Sequence, residues 1–362
     1  MGGPDLLEIV IGPAGRNVTD RTLEQNQLTA DALRPIDLPR ETRPQLCLVV
    51  DTEEEFDWTA PFSREATATT AAAEIWRLQE IVEPFDVTPT YVVDYPIATT
   101  SSSAAVFRDL ASAGRCEVGA HLHPWVTPPH REIVGNRTSY GFNLGEELER
   151  EKLTTLTVAI EEHIEVRPTV YKAGRYGIGG STIRILGGLR FEVDASVNPH
   201  IDFLSADGPS FIGFDARPSI VTGTAALIEV PCTTGFIGHA RAMGESLHRA
   251  ASGRLASSCR ALGVLSRLGV LNRIMLSPEG SSLAEMIALT RTLYAEGLRT
   301  FSLTLHSPSL KPGCTPYVRT TDERRRLLDA IARYLTFFTT ELRGEPTTPV
   351  ALARRLSRDY SS

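Results

Sequence analysis

Short apolar segments alternate with longer amphipathic segments from residue 45 onward. The apolar segments are rich in β-branched side chains, which is typical of buried parallel strands. They predict seven strands, at residues 46–50, 88–93, 116–121, 169–172, 191–197, 225–230 and 300–305. The amphipathic segments predict helices at residues 66–82, 103–113, 146–162, 181–186, 247–276, 283–295 and 322–339. Strands that alternate with helices favour an α/β fold with a parallel sheet.

The polar residues of chemical interest stand at the carboxyl ends of many of these strands. This arrangement favours a closed or nearly closed barrel over an open sheet. No glycine-rich phosphate loop follows a predicted strand, so a nucleotide-binding fold is disfavoured. We expect residues 1–44 to form an N-terminal extension with a short helix near 21–33. Residues 45–345 are predicted to form the barrel, and residues 346–362 a C-terminal tail.

Composition and charge narrow the function classes. The 362 residues are 42% hydrophobic and 22% charged, as in an ordinary soluble domain. The net charge of −7 argues against a nucleic-acid partner, which a basic patch would attract. No apolar run approaches the ~18 residues of a membrane span, and the first twenty residues lack a secretion signal, so we expect a cytoplasmic protein. The scattered cysteines, at positions 47, 116, 232, 259 and 314, predict buried thiols.

The first candidate cluster follows the strand predicted at residues 46–50. Asp51 and Glu53 end this strand, and residues two apart on a strand face the same side. Burying ionised carboxylates is costly unless a metal or a base pairs with them, so two oxygen donors here suit one cation. A solvated loop is the simpler interpretation of these acids alone.

The second cluster is a histidine pair at the carboxyl end of the strand at 116–121. His121 and His123 are two residues apart, so both imidazoles can face one side. A single histidine would be interpreted as a hydrogen-bonded core residue. A pair in a chain with only eight histidines favours a metal, because imidazole and carboxylate are usual ligands of divalent ions.

Three further residues stand near the ends of later strands. Arg175 lies between Gly174 and Gly177 and is suited to binding a carboxylate, although a surface salt bridge is equally compatible. Asp194 lies within a strand, where it could fix a histidine tautomer, pair with Arg175, or be a structural acid. His306 directly follows the strand at 300–305, where it could serve as a general acid or be a hydrogen-bonded core histidine.

Taken in this order, the motifs resemble the polysaccharide deacetylase family, the NodB-homology carbohydrate esterases. The resemblance covers about residues 45–320 and is greatest to a WalW-like subgroup. It is carried by the stretches DTEEEFDW, GAHLHPW, YKAGRYG and LTLHSPSLKPGCTPYV. The family implies a distorted seven-stranded (β/α) barrel with one divalent metal at its mouth. The metal implied here is Zn²⁺, with Co²⁺, Mn²⁺ or Ni²⁺ as alternatives.

The resemblance also implies a role for each candidate residue. Asp51 matches the general base, and His306 matches the general acid. Arg175 matches the arginine that orients the base, and Asp194 an acid that supports the site. The residues implied as metal ligands are Glu53, His121 and His123.

The chain departs from the family pattern at three places. The two acids are separated by a threonine instead of adjacent, so the roles of Asp51 and Glu53 could be exchanged. The two histidines are two residues apart instead of four, so His123 could be a substrate contact, with His130 or a water completing the metal shell. Tyr176 stands where the family usually has a proline.

The implied activity is removal of an N-acetyl group from an amino sugar by a metal-activated water. Without an export signal, we expect a small-molecule or lipid-linked N-acetylated sugar as substrate. The nearby aromatic residues suit sugar rings or simple packing equally: Trp58, Trp125, Tyr140 and Phe142. Two alternatives remain open, a hydrolase of another C–N bond such as an imide or formamide, and an inactive sugar-binding barrel. The sequence leaves the oligomeric state open.

Overall fold

The computed structural model describes residues 26–224, 227–252 and 268–360. Its strands are β1 Leu33–Pro35, β2 Gln45–Thr52, β3 Thr90–Val93, β4 Glu117–Leu122, β5 Val170–Ala173, β6 Val193–Asp194, β7 Ser219–Val221, β8 Ile228–Glu229, β9 Thr234–Ile237, β10 Asn272–Met275, β11 Thr300–His306 and β12 Glu345–Pro346. Its helices are α1 Ile75–Val82, α2 Tyr95–Thr99, α3 Ser101–Ser112, α4 Glu146–His163, α5 Gly180–Gly188, α6 Gly244–Ser252, α7 Leu283–Glu296, α8 Thr321–Thr336 and α9 Pro349–Tyr360.

Most of the strands form one curled sheet in the order β1-β7-β8-β6-β5-β4-β3-β2-β11, with β12 paired to β2. The strands from β8 through β11 along this order pair in parallel. These seven strands are the ones that the apolar segments predicted, so the parallel core is confirmed. At the other edge, β7 and β1 add antiparallel pairs. The carboxyl ends of the parallel strands therefore meet at one rim.

Side-chain alternation divides the buried residues between the two faces of the curled sheet. On β2, Cys47 and Val49 face the interior, and Leu46, Leu48 and Val50 face the helices. The interior cluster is completed by Val92, Val170, Val193, Ile228 and Val230. Because both faces of β2 are covered, its sequence is continuously apolar up to its carboxyl end.

Helix α9 closes the interior at the amino ends of the strands. Its residues Val350, Leu352 and Leu356 pack on the interior cluster. Arg354 also binds Glu192, just before β6. Residues 349–360 lie in the predicted C-terminal tail, but here they are part of the packed core. The domain bounds themselves stay a prediction.

The predicted helix at residues 247–276 is wrong in part. The helical segment is Gly244–Ser252, residues 253–267 lie outside the described residues, and Asn272–Met275 form β10, paired antiparallel with β9. Leu271, Ile274 and Leu276 are buried, and such closely spaced apolar residues fit a helical period as well as a strand.

The predicted helix at residues 21–33 falls mainly outside the described residues. The part that is described contains a single 3₁₀ turn, Ala30–Ala32, and Leu33 already belongs to β1. In the strand predicted at 225–230, residues 225–226 lie outside the described residues and Ile228–Glu229 form β8. Across the described ranges, none of the helices is both long enough and apolar enough to cross a membrane.

Candidate metal centre and catalytic groups

Three buried ligand groups converge at the carboxyl rim of the sheet. Glu53 follows β2, His121 lies in β4, and His123 follows β4. Glu53 Oε2 lies 3.5 Å from His121 Nε2 and 3.4 Å from His123 Nε2. All three side chains are buried, and their ligand atoms lie within 4.8 Å of one another. The curl of the sheet thus brings together the three residues that the sequence proposed as metal ligands.

Both imidazoles are oriented with Nε2 towards Glu53. The carbonyl oxygen of Lys172 lies 2.9 Å from His121 Nδ1, and Glu54 Oε2 lies 2.6 Å from His123 Nδ1. Since both partners are acceptors, each Nδ1 carries the hydrogen and each Nε2 keeps a free lone pair. Burial lowers the pKa of both histidines, that of His123 to about 4, which favours the neutral form that binds metals.

The carboxylate of Glu53 has a further unsatisfied atom. Its Oε1 is buried and has no hydrogen-bond partner among the described residues. Burial raises the pKa of Glu53, and no lysine or arginine of the described chain pairs with it. An unpaired buried carboxylate facing two free imidazole nitrogens fits a divalent cation such as Zn²⁺. His130 is exposed and lies outside this cluster, so the proposal that it completes the shell is not supported.

Glu54 supports the histidine side of the cluster. It accepts a hydrogen bond from Trp125 Nε1 at 2.8 Å in addition to its bond with His123. Its backbone N–H donates to Asp94 Oδ2 at 2.7 Å, and Asp94 Oδ1 caps α2 through Ile97 N. Burial raises the pKa of Glu54 to about 7. Sequence reasoning noted the acidic run but did not assign this role to Glu54.

Asp51 is paired with Lys172. Lys172 Nζ donates to both carboxylate oxygens, at 2.7 and 2.9 Å, and both side chains are buried. Burial alone would raise the pKa of Asp51, but Lys172 and the nearby histidines bring it below its usual value. Lys172 lies in the YKAGRYG stretch, and the β4–β5 register places it beside His121. This register is not visible in the sequence, so the role of Lys172 was missed.

Arg175 does not contact Asp51, so the implied contact with the base is corrected. Arg175 Nη1 donates to Asn136 Oδ1 at 3.0 Å and to Ser139 Oγ. Arg175 and Tyr176 both have a left-handed backbone, with φ values of 54° and 59°. The Arg175 side chain packs on the rings of Tyr140 and Phe62, and Lys172 is the cation beside Asp51.

His306 lies on the other side of Asp51, in the neighbouring strand β11. Its Nε2 is 3.7 Å from Asp51 Oδ2, and its Nδ1 is 2.7 Å from Glu279 Oε2. Burial would lower the pKa of His306, but the charges of Glu279, Glu53 and Asp51 raise it to about 10. The imidazole is therefore protonated at neutral pH. Glu279 lies in the turn after β10, and no sequence signal pointed to it.

Asp194 lies away from this site. It accepts a hydrogen bond from Ser196, and its register partner across the sheet is Glu229. The preceding residue, Val193, belongs to the interior cluster, so Asp194 faces the opposite side of the strand. The expected contact with Arg175 or with a histidine is not formed. Among the described residues, Glu279 is the acid that holds the strand-terminal histidine.

Aromatic side chains cover the rim. The ring of Trp125 stacks on His123 at 4.2 Å, and Trp58 meets His306 edge-on at 5.1 Å. Phe56 lies between them, 5.5 Å from Trp58 and 5.8 Å from Trp125. Two of the four aromatic residues noted in the sequence, Trp58 and Trp125, therefore lie directly against His306 and His123. The other two, Tyr140 and Phe142, are fully buried side chains.

Comparisons with solved structures show the fold. No protein-family model and no curated protein matches the sequence. A protein from Mycobacterium smegmatis, proposed to be a polysaccharide deacetylase, aligns with a TM-score of 0.52 and 17% identity over 90% of this chain and 94% of its own. The Puue allantoinase aligns with a TM-score of 0.53 and 16% identity over 91% and 96%. A Pseudomonas aeruginosa PAO1 protein, also regarded as a polysaccharide deacetylase, aligns with a TM-score of 0.53 and 15% identity over 91% of this chain and 96% of its own. The predicted fold class, a (β/α) barrel of the NodB-homology type, is confirmed.

Proposed function

We propose that this protein is a metal-dependent hydrolase of the polysaccharide deacetylase family that removes an N-acetyl or related N-acyl group from an amino sugar or glycoconjugate. The observation that carries the proposal is that three separate groups of side chains lie together at the carboxyl rim of the sheet. A carboxylate–imidazole cluster stands beside an ion-paired aspartate and a protonated histidine. Assignment to the WalW-like subgroup stays a prediction.

Glu53, His121 and His123 would hold the metal, which we propose to be Zn²⁺, with Co²⁺, Mn²⁺ or Ni²⁺ as alternatives. When bound, such an ion supplies a Lewis acid that polarises an acyl carbonyl and lowers the pKa of a water. Glu54 and the Lys172 carbonyl keep both imidazoles in the ligand tautomer. The fixed tautomers favour Glu53 over Asp51 as the carboxylate ligand, because both free Nε2 atoms face Glu53.

Asp51 is the proposed general base. It is ionised at neutral pH because Lys172 pairs with both of its oxygens. It takes a proton from the attacking water as the water oxygen bonds to the acyl carbon. Lys172 fixes the carboxylate in one orientation, which keeps the base in position while its protonation changes.

His306 is the proposed general acid. Glu279 binds its Nδ1 and keeps the ring protonated, so its Nε2–H faces the site beside Asp51. When the C–N bond breaks, His306 gives this proton to the departing amine nitrogen. The products are a free amine and a carboxylic acid, and no covalent enzyme intermediate is needed.

A second candidate is hydrolysis of another C–N bond, such as that of an imide or formamide. The similarity to the Puue allantoinase, with a TM-score equal to that of a deacetylase-like neighbour, favours keeping this candidate. The same base and acid would serve it, since both reactions cleave an acylated nitrogen. An inactive barrel that only binds sugars is the remaining alternative.

The first test is metal content by elemental analysis of the purified wild type, His121→Ala and His130→Ala. We expect about one divalent ion per chain in the wild type, loss in His121→Ala, and retention in His130→Ala, whose exposed ring lies outside the cluster. Acetate release is then measured with N-acetylated sugars, and release of the ring-opened product with cyclic imides. Asp51→Asn should keep the metal and lose about 10²–10⁴-fold in kcat.

Three outcomes would count against the proposal. Equal metal content in His121→Ala would remove the ligand assignment. Near-normal kcat in Asp51→Asn would remove the base. A full metal complement without hydrolysis of any acylated amine would favour the sugar-binding barrel.

A further inference from the structure

The guanidinium of Arg175 is held rigidly beside the candidate site. Arg175 Nη1 donates to Asn136 Oδ1 and to Ser139 Oγ. Its guanidinium carbon lies 4.1 Å from the centre of the Tyr140 ring and 4.9 Å from that of Phe62. Two neutral acceptors and two aromatic faces therefore fix this cation in one orientation.

This cation has no anionic partner. Within the described ranges, no carboxylate forms an ion pair with Arg175, and its Nε and Nη2 make no hydrogen bond. Asp207 acts on it electrostatically without forming an ion pair. Neither Nε nor Nη2 is among the buried atoms without a partner, so an anionic ligand can reach them. The free edge of the guanidinium is the edge that binds carboxylates and phosphates through two parallel hydrogen bonds.

The position of Arg175 is set by contacts with the metal centre. The preceding residue, Gly174, touches His123 so closely that an added Cβ would collide with the imidazole ring. The Phe62 ring under Arg175 lies 4.6 Å from Trp125, which stacks on His123. The residue that precedes Arg175 therefore contacts a proposed metal ligand.

The turn that carries Arg175 has an unusual backbone conformation. Arg175 and Tyr176 are consecutive non-glycine residues with left-handed backbone, at φ 54° and 59°. Such conformations cost free energy in non-glycine residues, and two in succession are found at ligand-binding and catalytic positions among others. A cation with no anionic partner among the described residues, on a turn beside the candidate metal centre, is suited to binding an anionic substrate group.

We propose that Arg175 binds an anionic group of the substrate, a carboxylate or a phosphate. The substrate class is then an N-acylated amino sugar that carries an acid group, and Arg175 determines the preference for it over the neutral sugar. This inference rests on the proposed function and adds the charge of the substrate.

The test compares three sugars that differ only at C6: N-acetylglucosamine, the corresponding uronic acid, and N-acetylglucosamine 6-phosphate. Acetate release by the metal-loaded protein gives kcat and KM for each. We expect a KM at least about tenfold lower for one anionic sugar than for the neutral sugar, with similar kcat. A preference for the uronic acid identifies a carboxylate, and a preference for the phosphate ester identifies a phosphate.

Variants connect the preference to Arg175. Arg175→Gln should abolish the preference, and Arg175→Lys should retain part of it, because a lysine keeps the charge but loses the planar pair of donors. Lys311→Met is the matched control and should retain it, since Lys311 is a cation already paired with Glu55, at 3.5 Å.

Binding to Asp51→Asn, measured by calorimetry, separates this proposal from the activity. If no sugar is hydrolysed, the proposed deacetylase activity is refuted. The affinities of the variant for the three sugars then still show whether Arg175 binds an anionic group. Equal affinities for the three sugars would overturn the proposal. So would a preference that survives in Arg175→Gln, or a variant that loses stability without any change in preference.

Discussion

Replacing Lys172 by methionine should destabilise the protein strongly. The ion pair of Lys172 with Asp51 is formed by side chains that are 1% and 6% exposed, with N–O distances of 2.7 and 2.9 Å. Removing one partner of a buried pair leaves the other charge uncompensated, which costs about 3–5 kcal/mol. Lys311→Met should cost about 0–1 kcal/mol, because the pair of Lys311 with Glu55 lies closer to solvent.

The pH dependence of this effect has a defined sign. Lys172 holds the pKa of Asp51 below its usual value of 3.8. The stabilisation is therefore present above the unfolded-state pKa and is lost as the pH falls through the folded-state pKa. In the methionine variant, burial acts on Asp51 without the neighbouring cation and favours its protonated form. The difference in stability between wild type and variant should be largest at neutral pH and should narrow on acidification.

The assay is urea unfolding at pH 7 and at lower pH, followed by tryptophan fluorescence in the presence of a chelator. The double variant Asp51→Asn/Lys172→Met should lose less stability than the sum of the two single variants, because it buries no unpaired charge. A free energy of unfolding for Lys172→Met within about 1 kcal/mol of the wild type would refute the assignment of a buried ion pair.

Two further predictions concern the groups that hold the histidines. Glu54→Gln should weaken metal affinity about 10–100-fold, since it removes the carboxylate at His123 Nδ1. Competition with a fluorescent chelator measures this affinity, and Glu55→Gln is the control. A Glu54→Gln variant that binds the metal as tightly as the wild type would contradict the supporting role of Glu54. Glu279→Gln should lower the pKa of His306 from about 10, because the largest favourable charge is lost. The alkaline limb of the kcat/KM profile should then move to lower pH, and an unchanged limb would remove His306 as the general acid.

The strands and the ligand positions could be predicted from the sequence because both depend on local patterns. Apolar runs mark buried strands, and chemically active residues of such barrels stand where these runs end. Glu53, His121 and His123 follow from this rule, and they do converge. The interpretation of residues 272–275 as part of a helix was wrong because closely spaced apolar residues fit both a helical and a strand period.

The residues that support the site could not be predicted, because they depend on which strand lies beside which. Lys172 reaches Asp51 across the curl of the sheet, and Glu279 approaches His306 from the turn after β10. Neither contact leaves a spacing signal in the chain. The role implied for Arg175 failed for a different reason, since the left-handed backbone at this residue is a property of the folded turn.

The charges of the site argue for the cation more strongly than the ligand types alone. Asp51 is paired with Lys172, and Glu279 is paired with the imidazolium of His306, so each of these buried acids has its own counter-charge. Glu53 is buried beside them and faces two imidazoles that burial keeps neutral. A buried carboxylate without such a counter-charge, facing free nitrogen lone pairs, is suited to binding a positive charge at that point. The cation is therefore expected to stabilise the fold as well as to serve the reaction.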